Sequence, residues 1–139
     1  MGPAEPYWRG RDAALVEETN SLPLTCLADP FRLEQVFRNI LENSLTACTD
    51  PVRLVVRCTL LVADGREFIQ AAARDNGPGL NREQRQRIFE PFFTTKTKGT
   101  GLGMAIAKRI VEAGGGRIAV GDAPEGGAEI VITVPRGEE

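Results

Sequence analysis

The sequence predicts an α+β fold: a two-layer α/β sandwich in which three main helices cover one face of a mixed, largely antiparallel sheet. Three observations point there. Two pairs of strand-like segments are each joined by a short glycine-containing turn, as in hairpins. A long stretch after Asp29 repeats its apolar residues at helical spacing. The helical stretches are not interleaved with strands in the regular alternation that builds a parallel sheet.

In chain order, AALVE (13–17) and LPLTCLA (22–28) read as short strands. Asp29 then offers a side-chain cap and Pro30 a pre-set first helical residue. Leu33, Val36, Phe37, Ile40, Leu41, Ser44, Leu45 and Cys48 recur on one side of that helix, which stops before Asp50-Pro51 because proline cannot continue it. VRLVVRCTLLV (52–62) and REFIQAAARD (66–75) flank Ala63-Asp64-Gly65 as the first hairpin. DNGPGL (75–80) is a glycine-rich loop, NREQRQRIF (81–89) a short polar helix, and EPFFTTKTKGTG (90–101) an irregular lead into a helix over 101–113. RIAVGD (117–122) and AEIVITVP (128–135) form the second hairpin around Pro124-Glu125-Gly126-Gly127.

Composition narrows the chemistry. The 139 residues suffice for one domain with one core, spanning 13–136 between short tails at 1–12 and 137–139. A net charge of −2 gives no reason to expect nucleic acid as a partner. Histidine is absent, which removes imidazole bases, Ser-His-Asp triads and most zinc sites. Cys26, Cys48 and Cys58 form no CxxC and lie among apolar neighbours, so they read as buried thiols of a cytoplasmic protein. No segment approaches the roughly 20 apolar residues of a membrane span.

Three stretches hold more than folding requires. Asn39 and Asn43, in RNILENSL, stand one above the other at the edge of the apolar stripe; they could close a polar seam, or Asn43 could offer a neutral oxygen to Mg²⁺. Asp75 ends a strand ahead of Asn76-Gly77-Pro78-Gly79. This is either a plain turn, or a carboxylate that accepts from an exocyclic amino group while Gly77 and Gly79 let the backbone approach a ring. In IFEPFFTTKTKGTGLG, Phe89, Phe92 and Phe93 look like anchors of a loop, and Gly99, Gly101 and Gly103 precede a helix whose positive end suits phosphate. Residues 81–110 carry seven Lys or Arg against two Glu, concentrating positive charge there. The loop is neither a Walker loop, since Lys98 precedes the glycines, nor a dinucleotide fingerprint, since Met104 stands where the third glycine belongs.

Taken in order, NILEN (39–43), DNGPG (75–79), IFEPFFTTK (88–96) and GTGLGMAIAKRIVEAGGG (99–116) resemble the N, G1, F and G2 boxes of the ATP-binding catalytic domain of sensor histidine kinases. The closing segment from Gly126 to Pro135 is similar to that domain's last strand. The resemblance implies the Bergerat (GHKL) fold and a protein-histidine kinase using ATP and Mg²⁺. It makes Asn43 the Mg²⁺ ligand, with Asn39 beside it near the phosphates. Asp75 would bind the adenine amino group, with Gly77, Gly79 and Leu80 shaping the pocket. Residues 88–100 would form an ATP lid pinned by Phe89 and Phe92, with Lys96 and Lys98 as phosphate contacts. Thr100 would lie with them, and Gly99, Gly101, Leu102 and Gly103 would hold the phosphates. The implied partners are a histidine-containing dimerisation domain of the same parent protein and, through it, a response regulator. The domain itself is expected to be monomeric and cytoplasmic, without membrane insertion.

Three positions depart from the family pattern. Thr46 and Ala47 stand where many members have a basic and an aromatic residue, and Ala128 where a threonine often follows the paired glycines. Rival readings are a hydrolysing GHKL ATPase, an anti-sigma-type serine kinase, or a non-catalytic nucleotide-binding module. The first two carry a general-base Glu four residues before the Mg-binding Asn, where this chain has Asn39.

Overall fold

A computed structural model describes residues 13–19, 30–49, 51–93, 101–123 and 126–136. Its elements run β1 (Ala13–Thr19), α1 (Pro30–Ala47), β2 (Val52–Ala63), β3 (Arg66–Asp75), α2 (Arg82–Arg87), α3 (Gly103–Ala113), β4 (Arg117–Val120) and β5 (Glu129–Pro135). The five strands form one sheet in the order β1-β2-β3-β5-β4. β1 pairs parallel with β2, from Ala13 opposite Val52 to Thr19 opposite Cys58, and every other pairing is antiparallel. A parallel neighbour needs a crossover connection, and α1 lies within it. The sheet is therefore mixed and largely antiparallel, as expected. The strand expected over 22–28 and the Asp29 cap lie outside the described residues.

The first hairpin closes more tightly than its sequence suggests. Its loop is Asp64-Gly65, with φ of 53° and 76°, and Ala63 already pairs with Arg66. Two consecutive positive φ values make the primed turn whose twist matches the strands, and Asp-Gly is a favoured pair for it.

The core lies between the sheet and α1 and α3. On α1 and just past its end, Val36, Ile40, Leu41, Ser44, Leu45 and Cys48 are buried and Phe37 is half-buried, as the helical spacing predicts, while the Leu33 side chain lies outside those described. On α3 the buried residues are Met104, Ala105, Ala107 and Val111. In β3, Ile69, Ala71, Ala73 and Asp75 are buried while the residues between them are more exposed. This alternation turns the last side chain of a central strand, the carboxylate of Asp75, toward the helices. Ile40 is 2% exposed at the centre of this core. Ile40→Ala is expected to cost about 2–5 kcal/mol of stability by removing buried methyl groups and leaving a cavity. Urea unfolding followed by circular dichroism checks this.

One expectation about the cysteines changes. Cys48 is buried, but Cys58 is only half-buried, since it sits where β2 begins to run past the helical layer.

Candidate functional site

Asp75 is 6% exposed and its carboxylate is tied from three directions. Its Oδ1 accepts from the backbone amides of Gly77 (3.0 Å) and Ala128 (2.9 Å). Its Oδ2 accepts from the Ser44 hydroxyl (2.9 Å), a fully buried bond. The Asp75 amide also donates to the Ala128 carbonyl (2.9 Å), which docks the start of β5 against the end of β3. That approach needs glycine before Ala128: Gly127 has a φ of 81°, and a Cβ there would fall on the Asp75 carbonyl.

The loop after Asp75 is clamped on its other side by Asn76. Its Oδ1 accepts from the Arg53 amide and its Nδ2 donates to the Pro51 carbonyl, both at 2.9 Å, so it lashes the loop to the start of β2. Gly77 runs under α1, where a Cβ would come within 2.6 Å of Cys48 Sγ. Gly79 has a φ of 84°, and Leu80 packs half-buried against the core.

Asn39 and Asn43 are both half-buried on α1, at the spacing expected of neighbours on one helix face. Asn39 Nδ2 donates to the Gly103 carbonyl at 3.0 Å, joining α1 to the first turn of α3. Among the described residues the Asn43 side chain has no hydrogen-bond partner. Thr46 is turned away from this face, its hydroxyl bonded to the Glu42 carbonyl one turn back. α3 begins at Gly103 with Leu102 as its N-cap residue, and no side chain caps that end. No group of three His, Cys, Asp or Glu among the described residues could hold a metal by itself.

The aromatic anchors behave unequally. Phe89 packs against the core, with Lys108 Nζ 5.9 Å above its ring. Phe92 does not act as the expected side-chain pin: it is 72% exposed. Its backbone provides the attachment instead, with a φ of 68° and its amide donating to the Gly101 carbonyl at 2.7 Å. Gly101 has a φ of 74°, and a Cβ there would lie 2.6 Å from the Phe92 carbonyl carbon. Lys96, Lys98, Gly99 and Thr100 lie outside the described residues, but the chain on either side of them is thus held together by a backbone pair. Gly101→Ala is expected to lower the melting temperature through a left-handed backbone cost of about 1–2 kcal/mol plus the collision with Phe92. Thermal unfolding of the variant checks this. Phe93 lies beneath the Arg87 guanidinium at 4.7 Å. Hydrogen bonds to Glu90 first, and then to Glu83, raise the Arg87 pKa above its ordinary value and hold the side chain in place.

Sequence reasoning brought forward Asp75, Asn39, Asn43 and the glycines, but missed Ser44 and Asn76 as the groups that orient the loop. A serine on an otherwise apolar helix stripe was the available signal for the first. The signal for the second was an Asn directly after a strand-ending Asp.

One helix collects these contacts. Ser44 of α1 bonds Asp75, Asn39 bonds the start of α3, and Asn43 lies between them in the chain. Over five residues a helix advances about 7.5 Å, so the contacts of α1 with Asp75 and with the start of α3 are separated along its axis by about that distance.

The chain is similar to several known proteins. A family profile described as "Histidine kinase-, DNA gyrase B-, and HSP90-like ATPase" matches residues 28–138. The C4-dicarboxylate transport sensor protein DctB of Pseudomonas aeruginosa is 36% identical over 126 residues, covering 88% of this chain and 20% of that protein. The sensor histidine kinase ZraS of Klebsiella oxytoca is 40% identical over 111 residues, covering 78% of this chain and 23% of its own length. The chain thus spans less than a quarter of either relative. Among solved structures, the mycobacterial sensor histidine kinase MprB superposes with a TM-score of 0.79 at 28% identity, covering 98% of this chain and 92% of that one. Full-length ShkA in complex with AMPPNP gives 0.78 at 30% identity, covering 97% of this chain and 28% of that one.

Proposed function

The chain belongs to the histidine kinase-, DNA gyrase B- and HSP90-like ATPase family as the ATP-binding catalytic domain of a sensor histidine kinase, and from that premise we propose that it passes the γ-phosphoryl group of ATP to a histidine on a separate dimerisation domain. The observation that carries this reading is the lashing of both ends of one site to α1, through Ser44–Asp75 and Asn39–Gly103.

In this reading Asp75 accepts from the adenine amino group, and Gly77, Gly79 and Leu80 bound the base. The amides at the start of α3, around Gly101, Leu102 and Gly103, receive the phosphates, where the positive end of an 11-residue helix favours them. Asn43, with no described partner and a neutral oxygen, fits a Mg²⁺ whose other ligands are phosphate oxygens and water. When bound, the metal supplies charge neutralisation on the phosphates. Phosphoryl transfer needs little else from the protein than positioning, so the chain's task is to hold the nucleotide with its γ-phosphate presented outward.

The acceptor must come from elsewhere, because this chain contains no histidine. Water is a poor competitor, since Asn39 stands where the hydrolysing relatives have a basic carboxylate. Its amide is committed to Gly103, and Glu42 is exposed about 100° round the helix from Asn43. The module is proposed to act in the cytoplasm as a monomer, with a response regulator receiving the phosphoryl group from the acceptor domain.

Calorimetric titration tests the reading. Saturable Mg²⁺-dependent ATP binding with negligible phosphate release is expected; no binding would refute it, and brisk hydrolysis would favour the ATPase class.

A further inference from the structure

We infer that Ser44 is a positioning residue that makes the site select a purine bearing an exocyclic amino group, by fixing which acceptor of Asp75 is left for the ligand. The inference rests on the nucleotide reading above and adds to it a residue and a discriminating property.

A carboxylate offers about four lone-pair positions. Oδ1 of Asp75 uses its two on the amides of Gly77 and Ala128. Oδ2 uses one on the Ser44 hydroxyl. One position remains, on Oδ2, and its direction is set by where Ser44 occupies the other. A single N–H donor on the ring is what such a site matches. A ring presenting only an acceptor there would leave a buried lone pair facing another lone pair.

Ser44 is diverted from its usual local partner to do this. A serine or threonine inside a helix commonly returns its hydroxyl to the carbonyl four residues back. Thr46, on the same helix, does so, bonding the Glu42 carbonyl at 2.8 Å. Ser44, two residues earlier and 4% exposed, instead donates its one proton to Asp75, 31 residues away. With that proton committed, its oxygen can only accept, so Ser44 cannot serve an acceptor-bearing ring in place of Asp75. Residue 128, where the family often supplies a hydroxyl, is alanine and contributes only its backbone amide to Asp75. Among the described residues, Ser44 is then the one side chain that orients the carboxylate.

Ser44→Ala, Ser44→Thr and the unsubstituted chain should be titrated with ATP and with purine riboside triphosphate, which lacks the 6-amino group. Alanine is a good helix former that fits the same space, and melting curves verify that each variant folds. Ser44→Ala is expected to lose about tenfold or more in ATP affinity while its affinity for the amino-free analogue stays within about twofold, so the preference collapses. Ser44→Thr, which keeps the hydroxyl, is expected to retain the preference. A merely structural serine would lower both affinities together. An equal loss for the two nucleotides, or an intact preference in folded Ser44→Ala, overturns this inference alone. Failure of the unsubstituted chain to bind ATP overturns the nucleotide reading and this inference with it.

Discussion

Asp75→Asn is expected to lower ATP affinity by about 100-fold or more while leaving the fold in place. The amide oxygen of Asn can still accept from Gly77 and Ala128, and its NH₂ can donate to Ser44 Oγ once that hydroxyl rotates. The internal network is thereby preserved. What changes is the face offered to the ligand: the remaining acceptor position becomes a donor, opposed to the donor of an amino group. A buried donor facing a donor loses the bond and leaves both groups unsatisfied, and this makes the effect large. Titration calorimetry reads the affinity and circular dichroism the fold. Affinity within threefold of the unsubstituted chain would remove Asp75 from the base site.

Asn43→Ala carries the second large effect, and its signature is metal dependence. Phosphoryl transfer to an added acceptor domain is expected to fall by roughly two orders of magnitude, the scale on which removal of one preorganised polar group acts. Nucleotide binding in the presence of a chelator should change little, because the base end at Asp75 is untouched. Among the described residues Asn43 has no partner of its own, so alanine leaves no protein group unsatisfied, and the melting temperature should hold. Equal loss of binding with and without Mg²⁺ would reassign Asn43 from metal ligand to structural seam.

The sequence reading was most secure where a local rule governs. The apolar stripe of α1 from Val36 to Cys48 and the helix stop before Asp50-Pro51 follow from periodicity and backbone sterics, and both are seen, whereas the hairpin turn is one residue shorter than the Ala63-Asp64-Gly65 loop expected. Asp75 was a candidate only in company: an acidic residue closing a strand before two glycines reads equally as a plain turn, and its order among the other stretches set it apart. Strand order was not visible: β1 beside β2 in parallel, and β5 inserted between β3 and β4, depend on contacts far apart in sequence. The support of Asp75 was hidden for the same reason, since its donors are Ser44, Gly77 and Ala128, two of them backbone amides that no residue type advertises. Phe92 misled in the opposite direction. Aromatic character suggested a buried pin, whereas the structure exposes the ring and uses the main chain, through the pair with Gly101.

The departures at Thr46 and Ala128 also become intelligible. Thr46 turns its hydroxyl to its own helix, where it bonds the Glu42 carbonyl. The absent hydroxyl at residue 128 is matched by a hydroxyl arriving from the other side, on Ser44.

The central claim is that this chain presents ATP for transfer to a histidine it does not itself possess. Its most direct test is to incubate the chain with γ-labelled ATP and Mg²⁺, with and without the parent protein's helical dimerisation domain. Acid-labile label on a histidine of the added domain, absent when that domain is omitted and with little free phosphate in either case, is the expected result. Rapid phosphate release by the chain alone, with no label on the added histidine, would contradict it.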